Sequence, residues 1–230
     1  MLDDARWIFV NYVPGAFGSF ITKVIESSPD VYNTDGESFD AYGASHENVT
    51  EWLRKFHHGN DLDYWSTLSA SDRSSYINFT DLCYKTDLHR VHRLTLPKHH
   101  DLFLETFSQA KFIKVVFDQE YFDLIVDMMC SKTYEDTLEN VIKHTDSQLY
   151  KVLTNTTPEQ QQKWYRKQCI KRIEDINDQQ PAERTFLFNI KTLFDQTSDS
   201  FSALFDFLEI APGNYTKLHT DFLKIHQNLG

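Results

Sequence analysis

Four apolar, β-favouring runs set the rhythm of the chain: Trp7–Val13, Val91–Leu96, Lys111–Phe117 and Thr185–Ile190. The third is almost continuously apolar, as expected of a strand covered on both faces of a parallel sheet. Stretches with helical spacing follow the runs. Phe17, Phe20, Ile21, Val24 and Ile25 predict a helix that Ser27-Ser28-Pro29 ends. Weaker helical patterns cover Glu47–Phe56, the residues after Ser71-Asp72 and His99–Ser108, with a polar surface loop at Asp30–Ser45. Tyr121, Phe122, Leu124, Ile125, Met128 and Met129 predict an amphipathic helix, and helical register continues from Thr133 through Leu138, Val141, Ile142, Leu149, Val152 and Leu153. Thr157-Pro158-Glu159-Gln160 is a capping box with proline at the first helical position. It opens a further helix running to about Asp178, and two more are predicted around Phe201–Leu208 and after Pro212.

Strand and helix alternate throughout, apart from a helical insert at 133–178. That order predicts a single α/β domain with a mainly parallel sheet and helices on both faces. Ligands of such sheets sit at the carboxyl ends of the strands. There the sequence places the break Pro14-Gly15-Ala16-Phe17-Gly18-Ser19-Phe20, the residues after Leu94, and Asp118. Strand, glycine-bearing loop and helix is a layout suited to phosphate, because glycines admit close backbone approach and a helix start offers unpaired N–H groups. The loop is neither a Walker A motif, since no Lys follows Gly18, nor a G-x-G-x-x-G dinucleotide fingerprint.

Composition narrows the partners. The chain has 230 residues and a formal charge of −11, which argues against nucleic acid and anionic membrane surfaces but leaves room for a local basic pocket. No apolar run reaches membrane-spanning length, and the acidic start is not a signal peptide. Cys83, Cys130 and Cys169 form no C-x-x-C, which suits reduced thiols and a cytoplasmic setting. Ten histidines include the pairs His57-His58 and His99-His100, and His89 and His92 lie three apart. None of these matches a zinc pattern, so no metal is expected.

Three segments resemble the sulfotransferase family, whose P-loop-like fold uses the donor 3′-phosphoadenosine 5′-phosphosulfate (PAPS). Val13-Pro14-Gly15-Ala16-Phe17-Gly18-Ser19-Phe20 is similar to the P-x-x-G-S/T-S/T loop that wraps the donor's 5′-phosphosulfate, with one extra residue. Lys114-Val115-Val116-Phe117-Asp118-Gln119-Glu120-Tyr121-Phe122 resembles the strand ending R-D-P and the helix after it, which bind the 3′-phosphate. Phe186–Leu193 and Leu204–Ile210 resemble the closing strand and the helix that ends F-L-G-I/L. The resemblance implies a three-layer P-loop-like domain, a bound PAPS or its product PAP, and sulfuryl transfer to a small hydroxyl acceptor.

The departures concern charge. No cation stands near Gly15-Ala16, Phe117 takes the place of an Arg, and Asp127 falls roughly where the family has a Ser. His92 lies near the place of the family's catalytic His and is the candidate base. Arg93 and Lys98 (with Arg90) are the candidate cations to steady the transferred group. The catalytic set is therefore His92, Arg93 and Lys98. The donor-binding set is Pro14, Gly15, Ala16, Phe17, Gly18, Ser19, Phe20 and Asp118. A non-catalytic nucleotide-binding or interaction module, and a small-molecule kinase, remain alternative functions.

Overall fold

The structure, a computed structural model, describes residues 6–13, 16–32, 88–94, 104, 107–143, 155–178, 183–194 and 199–226, with backbone alone at 132–143 and 199–200. Strands β1 (Trp7–Asn11), β2 (Arg90–Leu94), β3 (Lys111–Val116) and β4 (Thr185–Asn189) form one sheet in the order β2-β1-β3-β4, and every pairing is parallel. Around it lie α1 (Gly18–Glu26), α2 (Gln119–Lys143), α3 (Pro158–Asn177), α4 (Lys191–Phe194), α5 (Asp199–Leu208) and α6 (Thr216–Ile225). This is the α/β arrangement that the alternating pattern predicts. The expected helices at 47–56 and after Asp72, the loop at 33–45 and most of the 99–108 segment lie outside the described residues.

Register sorts the side chains. Phe9 pairs with His92 and Phe112, so these three share one face, and Trp7 and Arg90 share it too. There Phe9 stacks on Trp7 and Phe112, with ring centroids 5.9 and 5.2 Å apart, and Phe107 packs beside them. Ile8, Val10, Val91, Arg93, Ile113 and Val115 face the other way. On that side α1 contributes Ile21, Val24 and Ile25 to the core, and α5 sets Phe201 against Phe188 of β4.

The crossover from β3 to β4 is helical, as expected, but its first helix is longer than the sequence suggests. α2 runs unbroken from Gln119 to Lys143, because nothing between Met129 and Thr133 can stop it: no glycine or proline intervenes. α3 starts on the predicted capping box. Thr157 Oγ1 accepts from the Gln160 amide at 3.3 Å, and the Gln160 side chain accepts from the Thr157 amide at 2.9 Å. At the other end of α3, the Asn177 carbonyl accepts from the buried Lys114 ammonium at 3.3 Å. That bond places the end of α3 over the aromatic face of the sheet.

α5 ends in a Schellman turn: the Ile210 amide donates to Phe205 O and the Glu209 amide to Asp206 O. Glu209 takes φ 57, the left-handed conformation that glycine adopts at least cost. It stands where the family pattern F-L-G-I/L has its glycine. The Lys111 ammonium donates to the Phe207 carbonyl at 2.9 Å, supplying positive charge at the helix C-terminus.

Candidate functional site

β1 delivers the chain to the carboxyl edge of the sheet, and the turn into α1 begins there. Phe17 is the N-cap of α1, and its φ of 58 is left-handed. Such a conformation costs a non-glycine residue about 1–3 kcal/mol and persists only where surrounding contacts over-determine it. Here the contacts are aromatic: the Phe17 ring meets Phe194, Phe222 and His226 edge-on at 5.1–5.7 Å. A left-handed residue followed by a right-handed helical one turns successive N–H groups toward a common point, the concavity that binds anions in phosphate loops.

The donors in that concavity are fewer than the sequence suggests. The Ala16 amide donates to Val13 O at 3.0 Å, and the Phe20 amide to Phe17 O at 2.9 Å. Among the described residues, the amides of Phe17, Gly18 and Ser19 make no hydrogen bond, so these three are the ones an anion could meet. Ala16, Phe17, Gly18, Ser19 and Phe20 are thus together at the turn, while Pro14 and Gly15 lie outside the described residues.

Gly18 serves packing rather than ligand approach. A β-carbon there would fall inside the ring of Tyr12, itself buried at the end of β1. The room expected for an incoming phosphate is filled by the protein's own side chain. The sequence contained that signal only as an aromatic residue six positions before a glycine.

Arg93 points to the α1 side of the sheet, and its guanidinium donates to Ser19 Oγ at 3.1 Å. Ser19 is exposed and Arg93 half-exposed, so this corner meets solvent. His92 does not join it. Neighbouring residues on a strand point to opposite faces, and His92 is turned into the aromatic side, 2% exposed, with Phe9 edge-on at 6.1 Å. It is the central residue of β2, which spans Arg90–Leu94. Arg90 shares that buried face, with its guanidinium 5.9 Å from the Trp7 ring centre. Lys98 lies outside the described residues.

Asp118 is exposed at the carboxyl end of β3, where Asn189 of β4 donates to its carboxylate at 3.2 Å. The Asn189 side chain also accepts from the Lys191 amide at 3.0 Å, and the Lys191 ammonium pairs with Glu120 at 3.6 Å. Sequence reasoning missed Asn189 and Lys191; a polar residue closing the apolar run Phe186-Leu187-Phe188 was their only trace. Phe117 packs against the core beside Phe122, 6.5 Å between rings. Asp127 is held by Arg166, which also reaches Asp123 at 3.2 Å, so its charge is matched within the α2–α3 layer. The Asp127 hydrogen bond, opposed by partial burial, lifts the Arg166 pKa above its ordinary value.

Among the described residues, no group of three or more His, Cys, Asp or Glu is placed to hold a metal ion. His89 and His92, an odd number of residues apart on an extended segment, point to opposite faces. Nor, among those residues, is any helix long and apolar enough to cross a membrane.

These features describe an α/β domain in which the turn from β1 into α1 lies at the carboxyl edge of a parallel sheet. Among solved structures, the chain is similar to a sulfotransferase domain from the curacin biosynthetic pathway, with 12% identity and a TM-score of 0.46 over 89% of this chain and 74% of that one. No protein-family model and no curated protein matches it.

Proposed function

We propose that the chain is a sulfotransferase-like protein that holds the phosphosulfate end of a PAPS-type nucleotide at the β1–α1 turn and passes the sulfuryl group to a hydroxyl acceptor. The observation that carries this reading is the Arg93–Ser19 contact at 3.1 Å beside the open amides of Gly18 and Ser19. It supplies the cation that the loop itself lacks. Three backbone donors, a hydroxyl and a guanidinium form a set that suits a multiply charged oxyanion. Asp118 and Asn189 would border the nucleotide along the same edge.

The burial of His92 on the opposite face favours a second reading, in which the same site binds nucleotide without transferring anything. A base for the acceptor hydroxyl would then be wanting at that strand, since Arg93 and Lys98 are candidates for steadying charge and not for taking a proton.

Thermal-shift titration with PAPS, PAP, ATP, GTP and inorganic sulfate tests the site. Stabilisation by PAPS and PAP is expected, at about 2.7 kcal/mol when ligand stands at about a hundred times Kd. Arg93→Gln keeps a donor for Ser19 but removes the charge, and should weaken PAP about 10–100-fold, the worth of one charge-assisted contact. Binding that Arg93→Gln leaves untouched would place the nucleotide elsewhere. Tight binding of PAPS with no product across a panel of hydroxyl acceptors would select the second reading.

A further inference from the structure

The α2–α3 layer brings two thiols together. Arg166 of α3 is bonded to Asp127 of α2, a pair separated by 39 positions. One helical turn beyond each stand Cys130 and Cys169, which keep the same offset, as side-by-side helices running the same way require. That register, and their packing in and against one hydrophobic cluster, make the two thiols neighbours across the α2–α3 contact. Cys169 is 1% exposed and belongs to the central hydrophobic cluster, while Cys130 packs against that cluster and is only half-buried. Burial first, and then the contact with Cys130, pushes the Cys169 thiol up to about 12. One thiol is thus reachable by a small solute and the other is stored behind it.

We propose that Cys130 and Cys169 form a reversible disulfide when the protein meets a peroxide, stapling α2 to α3. Cys130 is the attacking sulfur. As its thiolate, it forms an S–O bond with hydrogen peroxide while the O–O bond breaks, and the departing hydroxide takes up a proton as water. The Cys169 sulfur then attacks the sulfenic sulfur. The S–S bond forms, the S–O bond breaks, and the leaving hydroxide takes the Cys169 proton as a second water. Two thiols and one peroxide give one disulfide and two waters, with two electrons passing from sulfur to oxygen. The staple closes the crossover between β3 and β4, on the helix that begins directly after Asp118. It does not depend on the nucleotide reading.

The test treats the full chain with hydrogen peroxide at neutral pH, alkylates it, digests it without reductant and maps the peptides by mass spectrometry. A Cys130–Cys169 cross-linked peptide, two hydrogens lighter than its parts and removed by dithiothreitol, is expected. The oxidised chain should melt at a higher temperature and return on reduction. Cys130→Ser should abolish the link and leave Cys169 unmodified. Since Cys169→Ser puts a hydroxyl into the core, the wild-type map and the Cys130→Ser chain are the deciding arms. Oxidation of Cys130 to sulfinic acid with no link, or links confined to Cys83 or to a second chain, would overturn the proposal.

Discussion

At the scale of single residues, the turn into α1 separates what a motif can tell from what it cannot. Gly18 reads in sequence as the glycine of a phosphate loop, yet its missing side chain makes room for Tyr12. A sequence marks where a Cβ is absent, not what fills the gap. Gly18→Ala should therefore destabilise the fold by about 1–3 kcal/mol, the usual cost of overpacking, because the Tyr12 ring base has to shift. In a Tyr12→Ala background the same change should cost far less, and urea unfolding of the double-mutant cycle measures that coupling. Equal costs in both backgrounds would mean that Tyr12 does not occupy the space. His92 and Arg93 carry a related lesson. Both are legible as candidates, and strand alternation says that they part company. Which of them faces the turn depends on which side of the sheet α1 covers, and that follows from packing over many residues.

Among the elements, those with strong local signals lie where the pattern puts them. The capping box at Thr157 starts α3, and four apolar runs become four strands, trimmed at their ends: β1 stops at Asn11 rather than Val13, and β4 at Asn189. Tyr12 and Val13 lie beyond the pairing of β1 with its neighbours, whereas Ile190, just past β4, still donates its amide to Val116 O at 2.9 Å. Less legible was the end of α5, where Glu209 occupies a glycine's conformation. Left-handed backbone costs a non-glycine residue about 1–2 kcal/mol, and glycine's extra freedom when unfolded costs about 0.4–1 kcal/mol. The Lys111–Glu209 ion pair, 3.2 Å apart with the glutamate 82% exposed, adds little against that balance. Glu209→Gly should thus stabilise the protein by up to about 1 kcal/mol, while Glu209→Ala, which keeps the strain and loses the pair, should not. Thermal denaturation ranks the three chains. If Glu209→Gly melts below wild type, the ion pair outweighs the turn.

Across the whole molecule, the two edges of the sheet do different work. The carboxyl edge keeps exposed polar groups and the open amides of the turn. The amino edge is knitted shut: Val31 bridges His89, the His89 amide donates to Asp30 O at 2.8 Å, and the Asp30 carboxylate accepts from the Ala211 amide at 2.7 Å. Gly213 completes this closure, since a β-carbon on it would fall onto the Ser27 hydroxyl and carbonyl group. The parallel order of the sheet was legible because alternation of strand and helix leaves few other topologies. This seam was not, because it joins residues far apart in the chain and draws mostly on backbone groups, which carry no side-chain signature. Its weak point is titratable. Burial, followed by the charges of Lys111 and Arg6, lowers the His89 pKa below its ordinary 6.5, with Asp30 and a backbone bond to Arg6 opposing. Well above pH 6.5 the imidazole is neutral in both folded and unfolded chains and contributes nothing to pH dependence. Below it, the unfolded chain takes a proton that the folded chain resists. Stability therefore falls as the pH drops through the unfolded value, and this loss levels off beneath the folded one. Urea midpoints of wild type and His89→Gln should converge near pH 7.5 after correction for any constant offset, and separate by about pH 5.5, with wild type losing more. Parallel pH profiles for the two chains would show that acid acts on the fold through other groups, and would remove His89 as the titratable point of the seam.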